Sequence, residues 1–72
     1  MTDAELLSYK RVGPEVAAKY LQGGYCAQEL WLHAQMGTCP FMRAFKGEGR
    51  YYYRVNVGKL MRFKHGELDY EN

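Results

Sequence analysis

Gly13-Pro14, Gly23-Gly24, Gly37 with Pro40, the Lys46-Gly47-Glu48-Gly49 turn and Gly66 cut this chain into short pieces. Glycine supplies backbone angles that end regular elements, and proline lacks the amide proton that an interior helical or strand position needs. What can fold between these breaks is a set of two- to three-turn helices and brief strands. At 72 residues the whole is one small domain, because a chain of this size buries only about 60% of its unfolded surface and supports a single core. An apolar fraction of 47% and a charged fraction of 25% are those of an ordinary globular protein. No internal repeat or low-complexity segment is present.

Each piece carries its own signals. Thr2 followed by Glu5 is a capping box and opens a short helix through about Tyr9. Pro14 suits a first helical position, Glu15 complements the positive helix end, and Gly23-Gly24 terminates the element, with Val16, Ala17, Tyr20 and Leu21 as its apolar stripe. The next helix runs through "YCAQELWLHAQMG". Cys26, Leu30 and Ala34 form its inward stripe and Ala27 and His33 flank it. Gln28, Leu32 and Gln35 point away, and Trp31 and Glu29 sit on opposite borders. An outward Leu between two Gln is its odd feature.

"CPFMRAF" and "RYYYRV" are rich in strand formers and flank the Lys-Gly-Glu-Gly turn, which predicts a β-hairpin. In the second arm, alternation places Tyr51, Tyr53 and Val55 on one face, expected to meet the core, and Arg50, Tyr52 and Arg54 on the other. In the first arm Arg43 falls with Phe41 and Phe45, and alternation does not say which face is inside. Asn56 then caps a last helix with Leu60, Met61 and Phe63 inward, Lys59 and Arg62 outward, and Gly66 at its end. The termini, including ELDYEN, are polar and expected to fray, which leaves a core of about residues 12–66.

Charge is unevenly spread. The net value is +2, yet seven basic residues (Arg43, Lys46, Arg50, Arg54, Lys59, Arg62, Lys64) face a single acid, Glu48, between positions 43 and 64. Such a block fits nucleic acid or an acidic partner, and equally the solvated face of a strand and a helix. No nucleophile-base pair, phosphate-cradling glycine loop or paired carboxylates appear, so an enzyme with a small-molecule substrate is not expected. Cys26 and Cys39 with His33 and His65 match no compact zinc spacing. We read the cysteines as buried thiols and expect no metal or cofactor. His33 reads as a satisfied core histidine and His65 as a complement to a helix end. No apolar run approaches bilayer length and the N-terminus lacks the order of a signal peptide, which predicts a cytoplasmic protein with no membrane partner.

The order of elements, two short helices joined by a tight turn, a hairpin and a closing helix, is that of an α+β winged helix-turn-helix. "PEVAAKYL", a glycine turn, "AQELWLHAQMG", "CPF", "YYYRVN" and a final helix together resemble the MerR-like, excisionase-like DNA-binding domains of phages and mobile elements. The resemblance spans roughly residues 12–66. It implies binding of double-stranded DNA by an architectural factor or small transcription regulator, with a recombinase or another copy of the chain as further partners. By position, the reading helix is residues 26–36 and the wing residues 41–55. Gln28 and Gln35 would meet adenine edges, Leu32 a thymine methyl, and Trp31 sugar or phosphate. Arg43, Lys46, Arg50 and Arg54, with Tyr52 among them, would take phosphates or a narrow minor groove. The reading helix has no Lys or Arg and carries Glu29, so positive charge rests on the hairpin and last helix.

Two rival readings remain. A protein-interaction module that keeps the scaffold without binding DNA would dock through Trp31, Leu32 and Met36. Single-stranded nucleic acid stacked on tyrosines requires at least two of Tyr51, Tyr52 and Tyr53 to be exposed together, and strand alternation turns neighbours to opposite faces.

Overall fold

The computed structural model describes residues 1–71. Its elements are α1 (Asp3–Leu7), α2 (Pro14–Leu21), α3 (Ala27–Met36), β1 (Met42–Lys46), β2 (Tyr51–Val55) and α4 (Val57–Lys64), so the fold is a small α+β arrangement of four helices and one antiparallel hairpin.

Local chemistry sets most boundaries. The Thr2 hydroxyl accepts from the Glu5 amide and Glu5 Oε1 accepts from the Thr2 amide, both at 3.2 Å, which is the reciprocal capping box. The helix then stops at Leu7 rather than about Tyr9. There the Ser8 hydroxyl donates to the Glu5 carbonyl at 2.6 Å and competes with continued helix. Pro14 opens α2 as its first residue. Gly37 ends α3 in the left-handed region at φ 76°, and the Thr38 amide reaches back to the His33 carbonyl at 2.9 Å, a glycine C-cap of Schellman type. Asn56 does two jobs. Its amide donates to the Phe41 carbonyl at 2.7 Å and so extends the hairpin ladder, while its side chain accepts from the Lys59 amide at 3.0 Å and caps α4.

The core gathers one or more residues from nearly every element: Leu6 of α1, Ala17, Tyr20 and Leu21 of α2, Leu30 and Ala34 of α3, Phe41 and Met42 at the start of the hairpin, and Leu60 and Phe63 of α4. Phe63 is an aromatic hub, with ring centroids 4.9 Å from Phe41, 5.1 Å from Tyr70 and 6.0 Å from Tyr25. Burial of such rings is the largest single contribution that a domain this small can draw on.

Several expectations change here. The core is wider than residues 12–66, since Leu6 is fully buried and Leu68 and Tyr70 pack on the core. The tail does not fray over its described length. Tyr70 lies flat on His33 with centroids 3.7 Å apart and planes 4° apart, and the Glu71 amide donates to the Thr38 carbonyl at 2.7 Å. Its polar composition hid two apolar anchors, Leu68 and Tyr70; Asn72 lies outside the described residues. Only Cys39 is a buried thiol. Cys26, expected on the inward stripe, is exposed because it is the N-cap of α3, where the backbone is still extended. Among the described residues no helix is long and apolar enough to cross a membrane.

Candidate nucleic-acid interface

The hairpin register decides which side chains share a face. Met42 pairs with Val55, Arg43 with Arg54, Ala44 with Tyr53, Phe45 with Tyr52, and Lys46 with Tyr51. Met42 is buried, and Ala44, Tyr53 and Val55 are half-buried and packed on the core, so the even positions of β1 and the odd positions of β2 make the inner face. The outer face is therefore Arg43 and Arg54 side by side, then Phe45 and Tyr52, then Arg50 at the turn. The ambiguity of the first arm resolves with Arg43 and Phe45 outside.

This outer face is electrostatically unbalanced. Two arginines stand directly opposite one another, an arrangement that destabilises a hairpin unless something negative covers it. Among the described residues no carboxylate forms an ion pair with Arg43, Lys46, Arg50 or Arg54; the ion pairs are Arg62 with Glu67 at 3.9 Å and His65 with Asp3 at 3.3 Å. Two of the arginines lie on aromatic rings instead. The Arg54 guanidinium sits 5.9 Å from the Phe45 ring centre, and that of Arg50 5.2 Å from the Tyr52 ring centre, with Arg50 Nε donating to the Tyr52 hydroxyl at 3.2 Å. Cation–π contact of this kind holds a guanidinium in place without neutralising it. The Tyr52 ring reclines over Gly47, where an added Cβ would collide with it. Phe45 and Tyr52 remain 47% and 51% exposed, and a shallow cleft of about 490 Å³ is lined by Phe45, Tyr52, Tyr53 and Arg54.

Helix α3 lies on the other side of the strands. Trp31 stacks on Tyr53 with centroids 6.3 Å and planes 18° apart, and Gln35 Nε2 donates to the Tyr53 hydroxyl at 2.7 Å. Trp31 and Gln35 are one turn apart and so share the side of the helix that meets β2. Gln35 is thereby engaged within the fold instead of pointing freely outward. The exposed ridge is Gln28, Leu32 and Met36, in steps of four residues, with Leu32 and Met36 51% and 63% exposed.

The sequence-named residues thus divide between the hairpin and α3, and within each they do not all share a face. Arg43, Arg54, Tyr52 and Arg50 come together on the outer hairpin face. Lys46 projects on the inner side at the tip, opposite Tyr51, and Tyr51, expected to face the core, is 43% exposed, its ring tilted against Tyr53 with centroids 6.4 Å apart. Gln28 and Leu32 stand on the α3 ridge, while Trp31 and Gln35 tie α3 to β2. Sequence reasoning missed Phe45 as an outer-face residue; Met36, expected beside Trp31 and Leu32 in an exposed patch, stands on the ridge with Leu32 where Gln35 was expected. The signal for Phe45 was its alternation with Arg43, which becomes decisive once Met42 is known to be buried.

Titration shifts lie away from this face. Asp3 is held below the usual carboxylate range, first by the Tyr20 hydroxyl that donates to it at 2.6 Å and then by His65. Burial, followed by the Asp3 carboxylate, pushes the Tyr20 phenol up to about 12. Burial likewise raises Tyr70 and the Cys39 thiol. These shifts belong to core packing and the α1–α2 contact. No family model, curated protein or solved structure matches this chain.

Proposed function

We propose that this chain binds double-stranded DNA as a small winged helix-turn-helix, with α2 and α3 as the helix pair and the β1–β2 hairpin as the wing. The role is that of an excisionase-like architectural factor or a small transcription regulator. The observation that carries the reading is the facing Arg43–Arg54 pair, with Arg50 beside it and no carboxylate partner among the described residues. A polyanion supplies the missing negative charge, and phosphate contacts of this kind position a protein on DNA without reading sequence. The α3 ridge of Gln28 and Leu32 then provides base-edge contacts, an amide for adenine and an apolar group for the thymine methyl, with Met36 extending the apolar part. In this reading most affinity comes from the hairpin, since α3 has no Lys or Arg.

The test is binding to a random-sequence duplex of about 30 base pairs across a salt series. Three to four phosphate contacts give a slope of log K against log salt of about −3 to −4. Arg54→Gln and Arg50→Gln each reduce that slope by about one. Absence of binding at low salt, or a slope that the arginine substitutions do not change, overturns the reading. A second reading is favoured by the exposure of Leu32 and Met36 one turn apart on α3: docking of a protein partner, a recombinase or a second copy. That association would be insensitive to salt and destroyed by Leu32→Asp.

A further inference from the structure

We infer that the outer hairpin cleft receives an unstacked nucleobase, so that the protein favours DNA whose bases are unpaired or easily unstacked. This rests on the DNA-binding reading above and adds to it a ligand for the two rings that phosphate contacts leave unused.

Phe45 and Tyr52 are a facing cross-strand pair on the solvent side of the sheet and contribute nothing to the buried core. Their exposed surface opens on a cleft that Arg54 also lines. Each ring already carries a planar cation, Arg54 over Phe45 and Arg50 over Tyr52. A protein partner seated here would have to desolvate three arginines, a cost that apolar contact with two rings does not recover. A nucleotide presents the complementary pair of groups, a planar base and, a few ångströms away, a phosphate. Every base has a π-face, so stacking on Phe45 or Tyr52 is tolerant of sequence. The guanidinium groups can remain in contact with the base plane or move to the flanking phosphate. Inside a regular duplex the base faces are covered by their neighbours. Only a base that leaves the stack can enter the cleft, and it leaves most easily where it is mismatched or unpaired.

The three consecutive tyrosines do not act together. Tyr51 and Tyr52 are both exposed, but they stand on opposite faces of β2, so adjacent tyrosines do not form one platform. The platform runs across the strands instead, from Tyr52 to Phe45.

The experiment compares a 30-base-pair duplex with the same duplex carrying a two-nucleotide mismatched bubble that contains 2-aminopurine. The wild-type protein binds the bubble roughly tenfold more tightly and quenches the 2-aminopurine fluorescence beyond that of the free bubble. Phe45→Leu and Tyr52→Leu each bring the ratio of affinities towards one and abolish the quench. Tyr9→Leu, at an exposed aromatic position just after α1 that does not line the cleft, keeps the wild-type ratio. Both cleft positions are half-exposed, and circular dichroism with Trp31 emission verifies that each variant is folded. Equal affinity of the wild type for bubble and matched duplex overturns the inference alone, as does a preference that survives both leucine variants. Failure to bind either DNA overturns the DNA-binding reading and this inference with it.

Discussion

Removing one member of the Arg43–Arg54 pair is expected to stabilise the fold while weakening its hold on DNA. Arg43 is the suitable target because its side chain makes no hydrogen bond, ion pair or ring contact among the described residues, whereas Arg54 rests on Phe45. The two arginines start from facing strand positions, so their charges lie roughly 7 Å apart if the side chains run parallel, and in water that separation corresponds to about 0.6 kcal/mol of repulsion. Screening reduces this to about 0.4 kcal/mol at 20 mM salt and to less than about 0.1 kcal/mol at 1 M, where the Debye length is about 3 Å. For a domain of this size 0.4 kcal/mol raises the melting temperature by about 2–3 °C. Thermal unfolding of wild type, Arg43→Gln and Arg43→Lys in 20 mM and 1 M salt measures it. Gln should melt higher than wild type at low salt only, and Lys, which keeps the charge, should not. On DNA the same Gln substitution lowers affinity and flattens the salt slope by about 0.9. A Gln variant that melts no higher than wild type at 20 mM salt, or whose gain is independent of salt, refutes the claim that an uncompensated charge pair sits on this face.

Other consequences follow from packing and caps. The Tyr20 phenol stays protonated up to about pH 12 in the folded chain but ionises near pH 10 when unfolded, so its stabilising effect is complete below pH 10 and disappears as pH rises to 12. Asp3 shows the opposite limb: its contribution is present above the ordinary aspartate range and lost as pH falls through its lowered folded value. Asp3→Asn should abolish the acid limb and only reduce the alkaline one in urea titrations run across pH, because burial, the larger cause of the Tyr20 shift, remains. Tyr70→Ala removes the stack on His33 and the contact with Phe63 and is expected to cost about 2 kcal/mol, seen as a drop of some 8–16 °C in melting temperature; an unchanged midpoint would mean that the tail is not docked. Asn56→Ala deletes the α4 cap and is expected to cost about 1 kcal/mol in urea unfolding, with Asn56→Ser recovering most of it.

Much of the secondary structure was legible because its signals are local. Thr2 with Glu5, Pro14, Gly37 and Asn56 each act on backbone groups within one helical turn, and all four do in the structure what the sequence assigns them. The hairpin was equally clear from two strand-forming runs around a glycine turn. The candidate site was legible in part. Alternation alone grouped Arg50, Tyr52 and Arg54, but it could not orient the first arm, and it did not anticipate that Arg43 would face Arg54 across the ladder.

What the sequence by itself determined is the set of elements, their order, and the concentration of positive charge in the second half of the chain. Tertiary structure decided which faces those elements cover. It turned Trp31 and Gln35 onto Tyr53, left Leu32 and Met36 bare, docked Leu68 and Tyr70 of a polar tail on the core, and placed two arginines and two aromatic rings together on the solvent side of the hairpin. The physical reason is range. Caps and turns are fixed by atoms a few residues away, whereas a side chain's exposure depends on which distant element packs against it, and period-two or period-3.6 patterns give two faces without saying which one meets the core.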